Sequence, residues 1–272
     1  MLQAYEKYFR DNLPHIWCPG CGNGIVMGAL ARAIEKLGYE NDDVLAISGI
    51  GCSSRMTGYL DFNTLHTAHG RALAVATGAK VAEPRLNTFV VMGDGDCAAI
   101  GGNHFIHACR RNINMTAIVI NNNIYGMTGG QFSPLTPKGK NATTAPYGSI
   151  DRSFDLVDLA IAAGATYVAR GDVYHVKQLE ELIIEADKHK GFSVIEVIAT
   201  CPVSYGRRNK IPGAADMIMW IKDNTINKKA ADKLPPEKVA DKIIVGKFHE
   251  VEDEEYCEAQ ERLAESLKGG AK

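Results

Sequence analysis

Two short polar motifs follow neighbouring apolar segments, and together they could bind a metal ion and a diphosphate. Gly93-Asp94-Gly95-Asp96 comes directly after the apolar residues 88–92, and Asn121-Asn122-Asn123 follows the apolar residues 115–120. Carboxylate and amide oxygens suit Mg²⁺, an ion that often accompanies phosphates, and glycine permits close approach of the backbone to a ligand. Because parallel strands present their carboxyl ends at one edge of a sheet, the pair predicts a magnesium–diphosphate site there.

Three protein oxygens are the expected magnesium ligands: the Asp94 carboxylate, the Asn122 side-chain amide and the backbone carbonyl of Ile124. The diphosphate and a water would complete an octahedron. The glycine-rich residues 125–131 follow, and the Thr128 hydroxyl with nearby amides could hold phosphate oxygens. An ordinary turn is the alternative for a lone Gly-Asp-Gly. The second motif, at this spacing and between two apolar segments, favours the metal site.

Four cysteines fall in predicted loops at strand ends or before a helix. Cys18 and Cys21 form a Cys-Pro-Gly-Cys turn, whereas Cys52 and Cys201 each follow an apolar segment. Four thiolates gathered at one end of a sheet would suit Zn²⁺ or a 4Fe–4S cluster. A redox dithiol would need only Cys18 and Cys21 and would leave the other two unexplained. The set of four therefore favours a cluster. The remaining cysteines receive no role: Cys97 and Cys109 are expected in the core, and Cys257 in the C-terminal tail.

The apolar periodicity predicts an α/β fold with a mostly parallel sheet and helices on both faces. Strands are expected at residues 44–49, 88–92, 115–120, 166–169 and 192–199, and helices at 23–37, 71–82, 103–111, 156–163 and 176–187. A short amphipathic helix is expected within residues 1–14. The pattern divides the chain into a binding domain at 1–205 and a C-terminal extension at 206–272. The acidic end of that extension could be a solvated helix, pack on a partner subunit or cover the site.

Composition narrows the class of partner and the compartment. A net charge of −2 over 272 residues argues against nucleic acid as a partner. No apolar run approaches the roughly 20 residues of a membrane span, and the N-terminus lacks the features of a signal peptide. We therefore expect a cytoplasmic protein, in which seven cysteines serve as metal ligands, redox groups or core residues rather than disulfides.

The motifs, taken in order, resemble those of the β subunit of 2-oxoacid:ferredoxin oxidoreductases. The resemblance extends over residues 14–206 and rests on Trp17-Cys18-Pro19-Gly20-Cys21-Gly22, Ile50-Gly51-Cys52-Ser53-Ser54, His69-Gly70-Arg71, Gly93-Asp94-Gly95-Asp96, residues 122–131 and Cys201-Pro202. The spacing of the Gly-Asp-Gly and Asn-Asn motifs is also similar to the signature of thiamine diphosphate enzymes.

The resemblance implies a thiamine diphosphate-binding fold that carries thiamine diphosphate, Mg²⁺ and one 4Fe–4S cluster. It assigns Cys18, Cys21, Cys52 and Cys201 to the cluster, and the motif Gly93–Asp96 with Asn122 and Thr128 to the cofactor. Ser53 and His69 match positions near the cofactor. The alternative for His69 is a histidine at a helix start that hydrogen-bonds to the backbone. Arg55 could pair with a substrate carboxylate, or could be an ordinary surface arginine.

The implied reaction is the oxidative decarboxylation of a 2-oxoacid with coenzyme A to acyl-CoA and CO₂. Electrons would pass through the cluster to ferredoxin, and the reverse direction would fix CO₂ with the same residues. The form of the first cysteine motif favours 2-oxoglutarate; a pyruvate or broad-range enzyme is the alternative. The activating glutamate of such enzymes is expected on an α subunit, in a heterodimer or a dimer of heterodimers. Outside this class, the alternatives are a non-redox thiamine diphosphate decarboxylase half and a zinc-stabilised binding subunit without catalysis.

Overall fold

The computed structural model describes residues 2–211 and 213–269, and its centre is a twisted sheet. Within the described residues the sheet has eight strands: β1 (Val44–Ser48), β2 (Asn63–His66), β3 (Asn87–Gly93), β4 (Met115–Asn121), β5 (Tyr167–Asp172), β6 (Phe192–Ile198), β7 (Thr225–Asn227) and β8 (Ile243–Glu250). Their order is β2-β1-β3-β4-β6-β5-β8-β7. Neighbouring strands run parallel except β5 and β8, which are antiparallel.

Helices cover both faces of the sheet. The described helices are α1 (Leu2–Tyr8), α2 (Asn23–Leu37), α3 (Ala72–Ala82), α4 (Gly102–Arg111), α5 (Leu156–Ala162), α6 (Val176–Lys188), α7 (Ala214–Asn224), α8 (Lys228–Ala231), α9 (Pro236–Val239) and α10 (Tyr256–Gly269). Residues of α2 and α6 form one core with the sheet, and residues of α3, α4 and α5 form the core on the opposite face. The predicted α/β class, with a mostly parallel sheet and helices on both faces, is confirmed.

The central strands are completely buried and end together. Every residue of β1, β4 and β6 is buried, as expected for parallel strands with helices on both sides. In register, Gly93 at the end of β3 lies beside Ile120 of β4, and Asn121 lies beside Ile198 of β6. This register brings the predicted metal motifs and the loop before Cys201 to the same edge.

The predicted central elements agree with the structure, and helix α2 has the predicted bounds. It ends at Gly38, which has a φ of 78° and donates its N–H to the carbonyls of Ile34 and Glu35. That left-handed conformation is one that glycine adopts without strain. Three strands were not predicted: β2, at one edge of the sheet, and β7 and β8, which lie beyond residue 206. The division at residue 205 remains a prediction, although β8 pairs directly with β5 in the same sheet.

None of the helices within residues 2–211 and 213–269 combines the length and the apolar character needed to cross a membrane.

Candidate active site

Asp94 is a buried acid at the end of β3. Its side chain is almost completely buried, and Oδ2 accepts a hydrogen bond of 2.5 Å from the Ser133 hydroxyl. Burial raises the pKa of the Asp94 carboxyl to about 7. A carboxylate at this depth is unfavourable without a compensating positive charge, so the position favours a bound cation.

Two glycines near this acid, Gly95 and Gly49, have no room for a side chain. A Cβ at Gly95 would lie 2.1 Å from the ring of Tyr125, whose hydroxyl donates to the Gly95 carbonyl at 3.1 Å. A Cβ at Gly49 would lie 1.7 Å from Oδ2 of Asp96. Tyr125 therefore packs too tightly against Gly95, and Asp96 against Gly49, for any side chain at these two positions.

The second motif is a preformed loop at the end of β4. Asn121 donates from Nδ2 to Glu196 at 2.7 Å, and its Oδ1 accepts the backbone N–H of Asn123 at 3.1 Å. Asn123 has a φ of 61°, which asparagine tolerates better than most residues. Asn122 is buried, and its Oδ1 faces the N–H of Ile124 at 3.3 Å. The loop thus presents the side-chain oxygen of Asn122 to the neighbourhood of Asp94.

A cleft at this edge of the sheet joins the two motifs. Its lining consists of Ile50, Gly51, Cys52, Ser53, His69, Gly93, Asp94, Gly95, Asp96, Ile100, Asn122, Ile124, Tyr125, Gly126, Met127 and Thr128. All eight predicted cofactor-binding residues are in this set. Ser53 is buried, and its hydroxyl lies 3.2 Å from where a Cβ at Gly93 would stand. His69 and Thr128 are exposed at the rim.

Three predicted site residues, Asp96, Thr128 and Arg55, differ in how free their side chains are to bind a ligand. Oδ1 of Asp96 accepts the N–H of Gly70 at 2.7 Å, while its buried Oδ2 has no hydrogen-bond partner among the described residues. The Thr128 hydroxyl already donates to Gln131 at 2.6 Å. Arg55 is exposed and does not line the cleft in the described part of the chain.

The four predicted cluster cysteines converge beside the cleft. A Cβ at Gly126 would lie 3.4 Å from the sulfur of Cys52 and 3.6 Å from that of Cys201, so both thiols approach the same backbone position. Burial, together with the neighbouring thiols of Cys21, Cys201 and Cys18, raises the pKa of Cys52 to about 11. Burial likewise raises the pKa values of Cys21 and Cys201. Only a positively charged group would allow these three buried thiols to ionise together.

The loops that carry these cysteines are locked together by hydrogen bonds. The Thr200 hydroxyl donates to the Gly20 carbonyl at 2.8 Å, and the N–H of Gly22 donates to the Thr200 carbonyl at 3.1 Å. The indole N–H of Trp17 donates to the Cys52 carbonyl at 2.6 Å. Three segments that are distant in sequence are therefore held in one arrangement by groups other than the thiols.

The thiols are not arranged for a single small ion. Within the described residues, no three His, Cys, Asp or Glu side chains lie close enough together to hold one metal ion. N–H groups nevertheless point at the sulfurs: Asn23 donates to Cys21 at 3.2 Å, and backbone N–H groups of Met127 and Ser204 face Cys52 and Cys201. Such donors stabilise thiolates that ligate a cluster.

The other three cysteines lie outside this site. Cys97 and Cys109 are fully buried, which confirms their placement in the core. Cys257 is also buried, beside the backbone carbonyl of Lys80.

Two functional contacts were missed by sequence reasoning. Ser133, which holds Asp94, arrives from the long loop between β4 and α5, where no pattern indicates which hydroxyl reaches the site. Glu196 supports Asn121 from the centre of β6. A carboxylate in an otherwise apolar strand was the available signal for Glu196.

The fold and the cleft define a thiamine diphosphate enzyme domain. The family model described as "Thiamine pyrophosphate enzyme, C-terminal TPP binding domain" matches residues 49–197. That range contains both magnesium motifs and one of the four clustered cysteines, Cys52.

Comparison with similar proteins shows which group of thiamine diphosphate enzymes the chain resembles. The chain is 56% identical to the 2-oxoglutarate synthase subunit KorB of Methanocaldococcus jannaschii, over 96% of this chain and 97% of that protein. It is 50% identical to the KorB subunit of Archaeoglobus fulgidus, over 99% and 98% of the two chains. A solved 2-oxoglutarate:ferredoxin oxidoreductase from Magnetococcus marinus, with 2-oxoglutarate, coenzyme A and succinyl-CoA bound, matches with a TM-score of 0.87 and 34% identity, covering 98% of this chain and 91% of that chain.

The chain therefore belongs to the family of β subunits of 2-oxoacid:ferredoxin oxidoreductases, in its 2-oxoglutarate branch. This confirms the resemblance predicted from the motifs. The chain is accordingly a subunit of an oxidoreductase enzyme and contains its thiamine diphosphate domain.

Proposed function

We propose that this subunit binds Mg²⁺–thiamine diphosphate and one 4Fe–4S cluster, and that with an α subunit it converts 2-oxoglutarate and coenzyme A to succinyl-CoA and CO₂. The observation that carries the proposal is the position of Gly126: it borders the diphosphate cleft and lies against the sulfurs of Cys52 and Cys201. A site for carbon chemistry and a site for electron transfer thus share one loop.

Asp94, Asn122 and the carbonyl of Ile124 are the proposed magnesium ligands. Support comes from the buried acid, whose pKa is raised to about 7 by burial and which therefore favours a cation. Further support is that Asp94, Asn122 and Ile124 all line the same cleft.

Cys18, Cys21, Cys52 and Cys201 are the proposed cluster ligands. Their thiols affect one another's pKa values, so they lie within electrostatic reach of a common centre. A cluster of four irons occupies more space than one ion, which fits thiols too widely spaced to chelate a single metal.

Thiamine diphosphate, when bound, supplies the electron sink that decarboxylation of a 2-oxoacid requires. The chain's own residues bind and orient. Asp94 and Asn122 would hold Mg²⁺ and, with it, the diphosphate end of the cofactor, and Ser53 and Asp96 line the buried side of the cleft. His69 and Thr128 stand at the rim, where a substrate would enter. Arg55 is the proposed partner of a substrate carboxylate.

The proposed partner is an α subunit that supplies the activating glutamate and contacts to coenzyme A. No glutamate occurs among the described residues that line the cleft, which supports a glutamate supplied by another subunit. Ferredoxin is the proposed electron acceptor. The cytoplasmic location and the direction of the reaction in the cell stay predictions.

The test is an anaerobic purification of the chain alone and of its complex with the α subunit. Iron, sulfide, zinc, magnesium and thiamine diphosphate are quantified on each sample, and reduction of ferredoxin is followed with 2-oxoglutarate or pyruvate. We expect about four irons with matching sulfide and one thiamine diphosphate per chain in the complex. Turnover should require both subunits and coenzyme A.

The other outcomes separate the alternatives. Zinc without sulfide would remove electron transfer from the proposal, and the thiamine diphosphate content would then distinguish a decarboxylase half from a binding subunit. A higher kcat/KM for pyruvate would overturn the proposed substrate while leaving the cofactors in place.

A further inference from the structure

Asn23 is a buried polar residue whose side chain has one partner. It is the first residue of α2, is 1% exposed, and donates from Nδ2 to the sulfur of Cys21 at 3.2 Å. Its Oδ1 is also buried and has no hydrogen-bond partner among residues 2–211 and 213–269. The thiol is thus the only group that the described structure offers this amide.

Helix capping and packing do not explain an asparagine at this position. Gly22, the residue before α2, has no side chain to cap the helix, and among the described residues Oδ1 of Asn23 accepts no free N–H of the first turn. Leaving Oδ1 buried without a partner costs stability. An apolar residue would avoid that cost, so the N–H group must serve the thiolate.

Backbone N–H groups face all three buried thiols, and Cys21 receives that of Asn23 in addition to the Asn23 side chain. The Met127 N–H faces Cys52, and the N–H groups of Ser204 and Tyr205, joined by the Ser204 hydroxyl, face Cys201. A backbone N–H donor remains when a side chain is substituted, whereas the Nδ2 donor of Asn23 is lost with its side chain. Asn23 is therefore a residue through which the sequence can adjust the electronic character of the centre.

We propose that Asn23 raises the reduction potential of the 4Fe–4S cluster by donating an N–H···S hydrogen bond to Cys21. The inference rests on the proposed function, because it requires the cluster. Reduction adds one electron to the cluster, and part of the added negative charge falls on the ligand sulfurs. A donor at Cys21 stabilises the reduced state more than the oxidised state, which moves the potential upward.

The test compares Asn23→Ala and Asn23→Asp with the unmodified αβ complex. Dithionite supplies the electron in a mediated titration under anaerobic conditions, and the reduced cluster is quantified by electron paramagnetic resonance. For Asn23→Ala we expect a more negative midpoint. At the wild-type midpoint the ratio of reduced to oxidised cluster should fall about five-fold, which corresponds to about 1 kcal/mol at 25 °C. Asn23→Asp should shift the midpoint further, because a carboxylate near the thiolate opposes the added electron.

Asn112→Ala is the control for a general loss of packing. Asn112 is a buried asparagine at the opposite edge of the sheet, where its Oδ1 accepts the N–H of Phe192 at 2.8 Å. This variant should lower Tm without moving the potential. Iron and sulfide are measured on every sample, since they show whether a cluster is present before its potential is compared.

The outcomes distinguish failure of this inference from failure of the proposed function. A wild-type complex without iron and sulfide would overturn the proposed function. A wild-type cluster together with an unchanged midpoint in Asn23→Ala would overturn the tuning role alone. Loss of iron in both Asn23 variants would also overturn it, because Asn23 would then be required for assembly of the cluster rather than for its potential.

Discussion

At the scale of single residues, Asp94 couples metal binding to a proton. Burial raises the pKa of its carboxyl from 3.8 to about 7, against the hydrogen bond from Ser133, which lowers it. The folded pKa therefore lies above the unfolded value. The unliganded protein gains stability as the pH falls from about 7 towards 4, because the folded state then binds a proton while the unfolded carboxyl is still ionised. A metal ion must displace that proton.

We predict that the affinity for Mg²⁺–thiamine diphosphate weakens as the pH falls below about 7. Calorimetric titration between pH 5.5 and 8.5 would measure this dependence. In Asp94→Asn the affinity should drop at least tenfold and lose this dependence on pH, while iron and sulfide remain at wild-type levels. Equal pH profiles for the two proteins would refute the assignment of Asp94 to the metal.

Gly95 packs directly against the ring of Tyr125, so it should not tolerate a side chain. A methyl group there would overlap the Tyr125 ring, at 2.1 Å. We expect Gly95→Ala to cost about 1–3 kcal/mol of unfolding free energy, as is usual for overpacking, and to weaken thiamine diphosphate binding at least tenfold.

Gly78→Ala is the matched control for Gly95→Ala. Gly78 lies inside α3, and a Cβ there would meet no atom within 4 Å. Because alanine favours helix, this change should stabilise the chain by about 0.5–1 kcal/mol and leave binding unchanged. Denaturant unfolding and cofactor titration measure both variants. Wild-type affinity in Gly95→Ala would show that the Tyr125 ring is not needed in its observed position.

At the scale of elements, an ionic network connects the loop after β4 to strands β5 and β6. Glu196 of β6 accepts from Asn121 at 2.7 Å and from Arg170 of β5 at 2.6 Å. Arg170 also contacts Asp155, which caps α5, at 2.8 Å. The loop that carries Asn122 is therefore held from behind by strands β5 and β6.

We predict that Glu196→Ala destabilises the chain by about 3–5 kcal/mol, because it leaves Arg170 buried without its closest carboxylate. The affinity for Mg²⁺–thiamine diphosphate should fall as the loop at Asn121 loses its support. Glu196→Gln keeps the size and an acceptor for Asn121, so it should restore most of the cofactor affinity but less of the stability. Equal affinities in both variants and the wild type would show that the network does not position the loop.

Sequence patterns predicted the elements that have continuous apolar runs and missed those that lie at edges. Strand β2 is short and largely exposed, which removes the apolar signal. In β8, Gly246 has a φ of 130°, and the pairing with β5 shifts register between Val168 and Ala169. A bulge of this kind breaks the period-two alternation by which strands are recognised. The sequence pattern therefore did not predict β8, the antiparallel partner of β5.

The site itself was predictable as residue types but not as contacts. The two oxygen motifs and the four cysteines could be identified because parallel strands end at a common edge. The supporting groups could not, because Ser133 comes from a long irregular loop and Asn23 was placed only as the start of a helix. Their roles depend on packing between segments that are far apart in sequence.

At the scale of the whole molecule, the C-terminal extension is integrated with the core. Strand β8 covers the edge of β5, and Cys257 is buried in the core on one face of the sheet. The carboxylate of Glu255 accepts the N–H of Asn114 at 2.9 Å, just before β4. By contrast, residues 261–268 of α10 are exposed, including Leu263 at 61% and Leu267 at 69%.

We predict that the two parts of this extension differ sharply in their effect on folding. A chain that ends after residue 240 would expose the β5 edge and open one core, so it should aggregate or unfold. A chain that ends after residue 260 loses exposed residues and surface ion pairs such as Arg262–Glu254, which are worth little. Its Tm should change by only a few degrees. Thermal unfolding and hydrogen exchange at the β5 amides measure both chains. Full protection of the β5 amides in the shorter chain would contradict this prediction. Residues 241–272 would then be an appendage that folds independently of the cofactor domain, as the predicted division at residue 205 implies.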